Sequence, residues 1–205
     1  MEQSFSTFLN PASFLFFKMR VINKDELDQE PKLLAELKSS VFIYPTDTIY
    51  GIGCDANRPD LVAKIREMKK NLDLPFSIII PNKNMIFEHC ETDDKTGEWV
   101  DKLPGPYTLI MRVKKKFFAD NVNPKDSTIG IRIPNHWFYN YIKKMKIPIV
   151  TTSANVKGDD FMTSLENLNP DIQKKVDFIV YDGPLQGRPS TIVNLAKEKV
   201  EVKKR

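Results

Sequence analysis

The chain has 205 residues, 41% hydrophobic and 28% charged, with a net charge of +4 and a pI near 8.9. That length fills one core, or one domain with a short appendage, and the composition excludes a disordered chain. No apolar run approaches the roughly 18 residues of a membrane span, and the two cysteines, Cys54 and Cys90, form no ladder of spacings that would suit a disulfide framework or zinc knuckle. A reducing, cytoplasmic setting is therefore expected, without membrane association, and the mild basicity suits anionic partners without requiring them.

Met1–Lys18 contains the greasy run Phe14–Phe17, but no basic head precedes it and no small-residue cleavage site follows. Met19-Arg20-Val21-Ile22 reads as a second beginning. The expected division is a loosely attached extension over 1–18 and one domain over 19–205. Pro31 opens a helix whose apolar stripe is Leu33, Leu34 and Leu37, ended by Ser39-Ser40. Val41 to Tyr44 and Ile49 to Gly53 read as strands, separated by Pro45-Thr46-Asp47-Thr48. Pro59-Asp60 starts a clearer helix with Leu61, Ile65 and Met68 at helical spacing and lysines in its last turn.

Phe76 to Ile80 is a buried strand, two short helices fit 82–101, and Pro104-Gly105-Pro106 turns the chain into the strand Tyr107 to Val113. Lys114-Lys115-Lys116 reads as a solvated loop, with an RNA contact as the lesser alternative. A strand over Thr128 to Ile133 and a helix over His136 to Lys146 follow. Ile147 to Val150 then runs into Thr151-Thr152-Ser153-Ala154-Asn155, and Phe178 to Tyr181 and Thr191 to Leu195 complete the sheet. Alternating strands and helices predict a three-layer α/β fold.

Two apolar strands ending in hydroxyl-rich loops, with Arg132 at the end of a third, point to a crevice for a small polyanionic ligand. The phosphate loop and the dinucleotide fingerprint are both missing; Gly51-Ile52-Gly53 lacks the third glycine. The His89-Cys90 pair is too isolated for a metal centre, and Ser153 has no histidine partner, so it reads equally as a turn serine. What remains is catalysis by positioning, with cations and amides holding anions. Lys69 and Lys70 can reach a phosphate or simply favour a helix terminus. The fork of Arg132 can clamp a carboxylate or pair with Asp47 or Asp55.

Five stretches occur in order: Tyr-Pro-Thr-Asp-Thr-Ile-Tyr-Gly-Ile-Gly-Cys-Asp-Ala at 44–56, Pro-Gly-Pro-Tyr-Thr at 104–108, Gly-Ile-Arg-Ile-Pro at 130–134, Thr-Ser-Ala-Asn at 152–155 and Pro-Ser-Thr-Ile-Val at 189–193. Together they resemble the YrdC-type threonylcarbamoyl-AMP synthases from about Met19 to the C-terminus. The resemblance implies a twisted mixed sheet around a basic cleft. It also implies a nucleotidyltransferase reaction in which L-threonine, bicarbonate and ATP, with Mg²⁺, give threonylcarbamoyl-AMP and pyrophosphate. A separate tRNA threonylcarbamoyl transferase would use the product to modify adenosine 37, making tRNA or double-stranded RNA a further partner.

The same resemblance assigns Thr48, Arg132, Thr151 and Ser190 to L-threonine. It assigns Lys69, Asn71, Thr128, Ser153, Asn155 and Arg205 to ATP, with Lys69 and Arg132 as the catalytic pair. No metal ligand of the chain is expected. Two departures stand out: Asn71 replaces an arginine of the family's Lys-x-Arg element in a shorter loop, and Asp159-Asp160-Phe161 replaces a proline and small hydroxyl residue. These suit the YciO-like branch, so the alternative is an RNA-binding, translation-associated module without synthase activity; a paralogous synthase for another amino acid is a third reading. Because the chain stops at Arg205, the extra domain of longer relatives is expected to be missing.

Overall fold

A computed structural model describes residues 19–125 and 127–205; the expected extension over 1–18 lies outside the described residues. In chain order the elements are β1 Arg20–Ile22, α1 Lys24–Gln29, α2 Lys32–Lys38, β2 Phe42–Tyr44, β3 Gly51–Gly53, α3 Pro59–Met68, β4 Ser77–Ile79, α4 Asn84–His89, α5 Asp94–Asp101 and β5 Tyr107–Arg112. There follow β6 Thr128–Arg132, α6 Tyr139–Met145, β7 Ile149–Ser153, α7 Pro170–Gln173, β8 Phe178–Val180, β9 Thr191–Asn194 and β10 Glu201–Lys203. The strands form one mixed sheet in the order β1-β8-β2-β3-β7-β4-β6-β5-β9-β10.

Local chemistry sets many boundaries. Asn23 and Glu26 form a capping box at the start of α1, and Asp93 with Thr96 does the same for α5. Pro59 occupies the first turn of α3, where its missing N–H has no helical partner to lose. β3 begins at Gly51 rather than at the expected Ile49, because the Thr46 hydroxyl donates to the Ile49 carbonyl at 2.7 Å and accepts its N–H at 3.3 Å. That side chain holds the Pro45–Tyr50 segment as a loop. α6 likewise begins at Tyr139, not His136, since His136 and Trp137 sit in the preceding turn.

Strand alternation divides the core. Phe42, Tyr44, Ile79, Ile149, Phe178 and Val180 face one side, packed by α1, α2 and α6 through Leu27, Leu33, Leu37, Phe138 and Ile142. Their neighbours Ile43, Ile78, Val150 and Ile179 face the other side, under α3, α4, α5 and α7. Leu33 and Leu37 are fully buried, each contributing about 1.5–3 kcal/mol. The result is the expected three-layer α/β arrangement.

The first helical layer stops short. Ile79 of β4 and Ile149 of β7 lie under it, but Ser77, two residues away on β4, and Thr151 and Ser153, on the same face of β7, lie beyond it and line a cavity. The site is the bare continuation of a helix-covered sheet face.

Candidate functional site

The floor of this cavity, about 330 Å³ in volume, is built from adjacent strands. Ser77 pairs in register with Gly130 on one side and Thr151 on the other, and Gly51 pairs with Ser153. Gly130 gives the floor its depth: a Cβ there would meet Ser77 Oγ at 2.4 Å and Thr108 Cγ2 at 3.1 Å. Pro75, Phe76 and Phe161 supply apolar walls, and Pro189, Ser190 and Arg205 complete the lining.

Arg132 sits at the end of β6 with its side chain only 8% exposed. Its Nη2 donates to Asp47 Oδ1 at 3.0 Å and to Thr48 Oγ1 at 3.1 Å. Of the two alternatives read from the sequence, the ion pair with Asp47 is present, and Nε is buried with no protein partner. A buried, unpaired donor on a cation costs about 1–3 kcal/mol or more, and the guanidinium that carries it borders the cavity. Burial lowers the hold of Arg132 on its proton while Asp47 opposes the shift. Arg205 is shifted the same way by burial and by the nearby charge of Arg132. Two mutually repelling guanidiniums around one cavity favour an anion between them.

The hydroxyls are pre-arranged. The Thr46 and Thr48 hydroxyls are 2.9 Å apart, and those of Thr108 and Ser190 are 2.7 Å apart. Arg205 donates from Nε to the Ser190 carbonyl and from Nη2 to its Oγ, both at 3.0 Å. Ser153 Oγ donates to Asn155 Oδ1 at 2.6 Å, which fixes the turn after β7.

Of the residues expected at the site, Arg132, Thr151, Ser153, Asn155, Ser190 and Arg205 line the cavity together, and Thr48 stands directly behind Arg132. Lys69 is placed differently from a free phosphate ligand: its Nζ donates to the Ser153 and Asn155 carbonyls at 2.6 and 2.7 Å and to Asn155 Oδ1 at 3.1 Å. Asn71 is turned into its own loop, accepting the Leu74 N–H at 3.0 Å. Thr128 shares the strand face of Gly130 and Arg132 but lies at the other end of β6, about 13 Å along the strand from Arg132. Sequence reading missed Ser77 and Thr108. For Ser77 the signal was available in strand parity, as a polar residue two positions from buried Ile79.

Burial lowers the Lys69 ammonium from its ordinary 10.5 to about 8, and it carries its charge at neutral pH against three oxygens. Its folded pKa is depressed, so between about pH 8 and 10.5 the unfolded chain binds a proton that the folded chain has released. This group therefore makes the fold more stable as pH rises through that window, by up to roughly 3 kcal/mol. Urea unfolding at about pH 7.5 and 10 is expected to show this rise in wild type and not in Lys69→Met; identical pH dependence in the two proteins would remove the assignment.

The family model Sua5_yciO_yrdC, described as "Telomere recombination", matches residues 37–205. A Methanocaldococcus jannaschii protein named "Putative threonylcarbamoyl-AMP synthase" is 34% identical over 194 residues, covering 89% of this chain and 91% of that one. Among solved structures, P. abyssi Sua5 complexed with L-threonine superposes with a TM-score of 0.78 at 22% identity, over 90% of this chain and 56% of that one. E. coli YciO superposes with a TM-score of 0.77 at 21% identity, over 90% and 93% of the two chains. These superpositions establish the fold, and the chain spans just over half the length of the P. abyssi protein.

Proposed function

Since the chain belongs to the Sua5/YciO/YrdC family, we propose that it is a threonylcarbamoyl-AMP synthase acting on L-threonine, bicarbonate and ATP. The observation that carries this reading is the buried Arg132 guanidinium, one of its nitrogens without a protein partner, lining a cavity of hydroxyls with Arg205 on the same wall. A carboxylate of the amino acid completes the Arg132 fork. Thr151 and Ser190 line the same cavity, and the Thr48 hydroxyl accepts from Arg132 behind it.

The chemistry needs no nucleophile from the protein. The threonine amine takes up carbon dioxide from bicarbonate, releasing water. A carbamate oxygen then attacks the α-phosphorus of ATP, forming the new P–O bond as the bond to pyrophosphate breaks. The chain supplies positioning, and placing two reactants at near-attack distance contributes several kcal/mol of the barrier. Arg205 and the Ser153–Asn155 turn, fixed by Lys69, receive the nucleotide. The described lining contains no carboxylate, and Asp47 is engaged by Arg132 and by the Asn135 N–H at 3.0 Å. These residues do not suit a protein-held magnesium ion, so Mg²⁺ belongs to the triphosphate and no step is assigned to it.

The test is pyrophosphate release on mixing the chain with ATP, bicarbonate and each amino acid in turn. Strict dependence on L-threonine, with an adenylate product of the matching mass, is expected. No turnover with any amino acid, together with salt-sensitive RNA binding, would favour the RNA-binding module instead.

A further inference from the structure

The turn after β6 holds the two loops that wall the cavity, each through an aspartate. On one side, Asp47 Oδ1 accepts from Arg132 and Asp47 Oδ2 from the Asn135 N–H, both at 3.0 Å. On the other, Asp182 Oδ2 accepts from Trp137 Nε1 at 2.9 Å and lies 3.2 Å from His136 Nε2. The Phe138 N–H points at His136 Nδ1 from 3.3 Å. Nδ1 is thereby assigned as acceptor, which leaves the hydrogen on Nε2, facing Asp182.

The main chain beside Asp182 is fixed as well. Its N–H donates to the Tyr50 hydroxyl at 3.0 Å, and that hydroxyl donates to the Gly183 carbonyl at 2.7 Å. From Gly183 the chain runs back across the Pro45–Tyr50 loop and enters the cavity wall at Pro189 and Ser190. The crossing is close: a Cβ on Gly187 would stand 1.7 Å from the Thr48 carbonyl oxygen.

We propose that Asp182 is a positioning residue, the anchor of a strap over residues 183–189 that presses on the Thr48 backbone and sets Thr48 and Ser190 relative to Arg132. The strap has no regular secondary structure of its own; apart from the Leu185 N–H, which donates to the Thr163 carbonyl at 2.8 Å, its position depends on what holds its ends. Asp182 holds one end with two side-chain donors, and Arg205 holds Ser190 at the other. The ligand assigned to the strap, L-threonine, rests on the reading under Proposed function; the strap itself does not.

The experiment compares Asp182→Ala, Asp182→Asn and Gly187→Ala with wild type in threonine-dependent turnover and in amide hydrogen exchange. Asp182→Ala is expected to raise KM for L-threonine about tenfold, with kcat within about twofold and KM for ATP unchanged. Asp182→Asn keeps an oxygen for Trp137 Nε1 and recovers part of the loss. Gly187→Ala lifts the strap from its other contact and reproduces the KM effect. In both alanine variants, exchange accelerates at 183–190 and 45–50 and stays as in wild type elsewhere. Unchanged exchange over those segments, or a loss confined to kcat, would overturn the strap. A wild-type protein indifferent to threonine would overturn the functional reading alone, and exchange would still decide the strap.

Discussion

Arg132→Lys is expected to weaken L-threonine binding by about a hundredfold or more while the chain still folds cooperatively. The guanidinium does two things at once: Nη2 serves Asp47 and Thr48, and the same buried group lines the cavity with its Nε unpartnered by the protein. An ammonium keeps a positive charge near Asp47 but has no fork, so it cannot hold Asp47 and the carboxylate in one plane. Equilibrium dialysis with labelled L-threonine reads the effect, and wild-type affinity in the lysine variant would refute the carboxylate role. Arg132→Ala does not spare the fold in the same way, because the Asp47 side chain is only 9% exposed and would lose its cationic partner. Such a change costs about 3–5 kcal/mol, which makes the alanine variant a folding experiment.

The second large effect is expected far from any ligand atom. Arg66→Ala should destabilise the chain by about 3–5 kcal/mol, a fall in Tm of roughly 10 °C. Arg66 is 6% exposed and donates to five main-chain carbonyls: Asn121 from Nε, Val122 from Nη2, and Asn71, Leu72 and Leu74 from Nη1. Its guanidinium also lies 4.5 Å from the Phe76 ring centroid, beside the cavity wall. With those carbonyls drawn inward, the Leu72 and Leu74 side chains are turned out, at 74% and 48% exposure. Arg66→Lys should recover only part of the stability, since three ammonium hydrogens cannot serve five acceptors. Thermal unfolding of both variants checks this, and an unchanged Tm in Arg66→Ala would show that the hub is dispensable.

What was readable in the sequence depended on local pattern. The continuous apolar runs of β2 and β8 and the amphipathic spacing of α3 declare themselves, because burial on both faces of a strand or on one face of a helix constrains every residue in the run. β1 and β10 do not. Each has three residues; β1 exists by pairing with β8, and β10 pairs with β9 while all three of its side chains stay exposed. No period of hydrophobicity marks such a strand.

The site divides in the same way. Thr151, Ser153, Asn155 and Arg132 follow apolar strand residues and could be read as a polar rim, while Ser190 and Arg205 came from the resemblance. Lys69 and Arg66, by contrast, look like ordinary helical cations. Their burial depends on carbonyls brought from the 153–155, 71–74 and 121–122 segments, which no spacing in α3 reveals. Asn71 read as a weakened phosphate contact, yet its side chain closes a turn onto Leu74. In each case the tertiary fold decided which polar groups were left for a ligand.

Diffraction from crystals soaked with L-threonine and a non-hydrolysable ATP analogue decides whether the cavity seats both substrates. The expected density places a threonine carboxylate oxygen within hydrogen-bond distance of the Arg132 guanidinium, with the analogue's α-phosphate beside the threonine amine. A cavity without density for either ligand at saturating concentrations, or an amino acid bound away from Arg132, would contradict it.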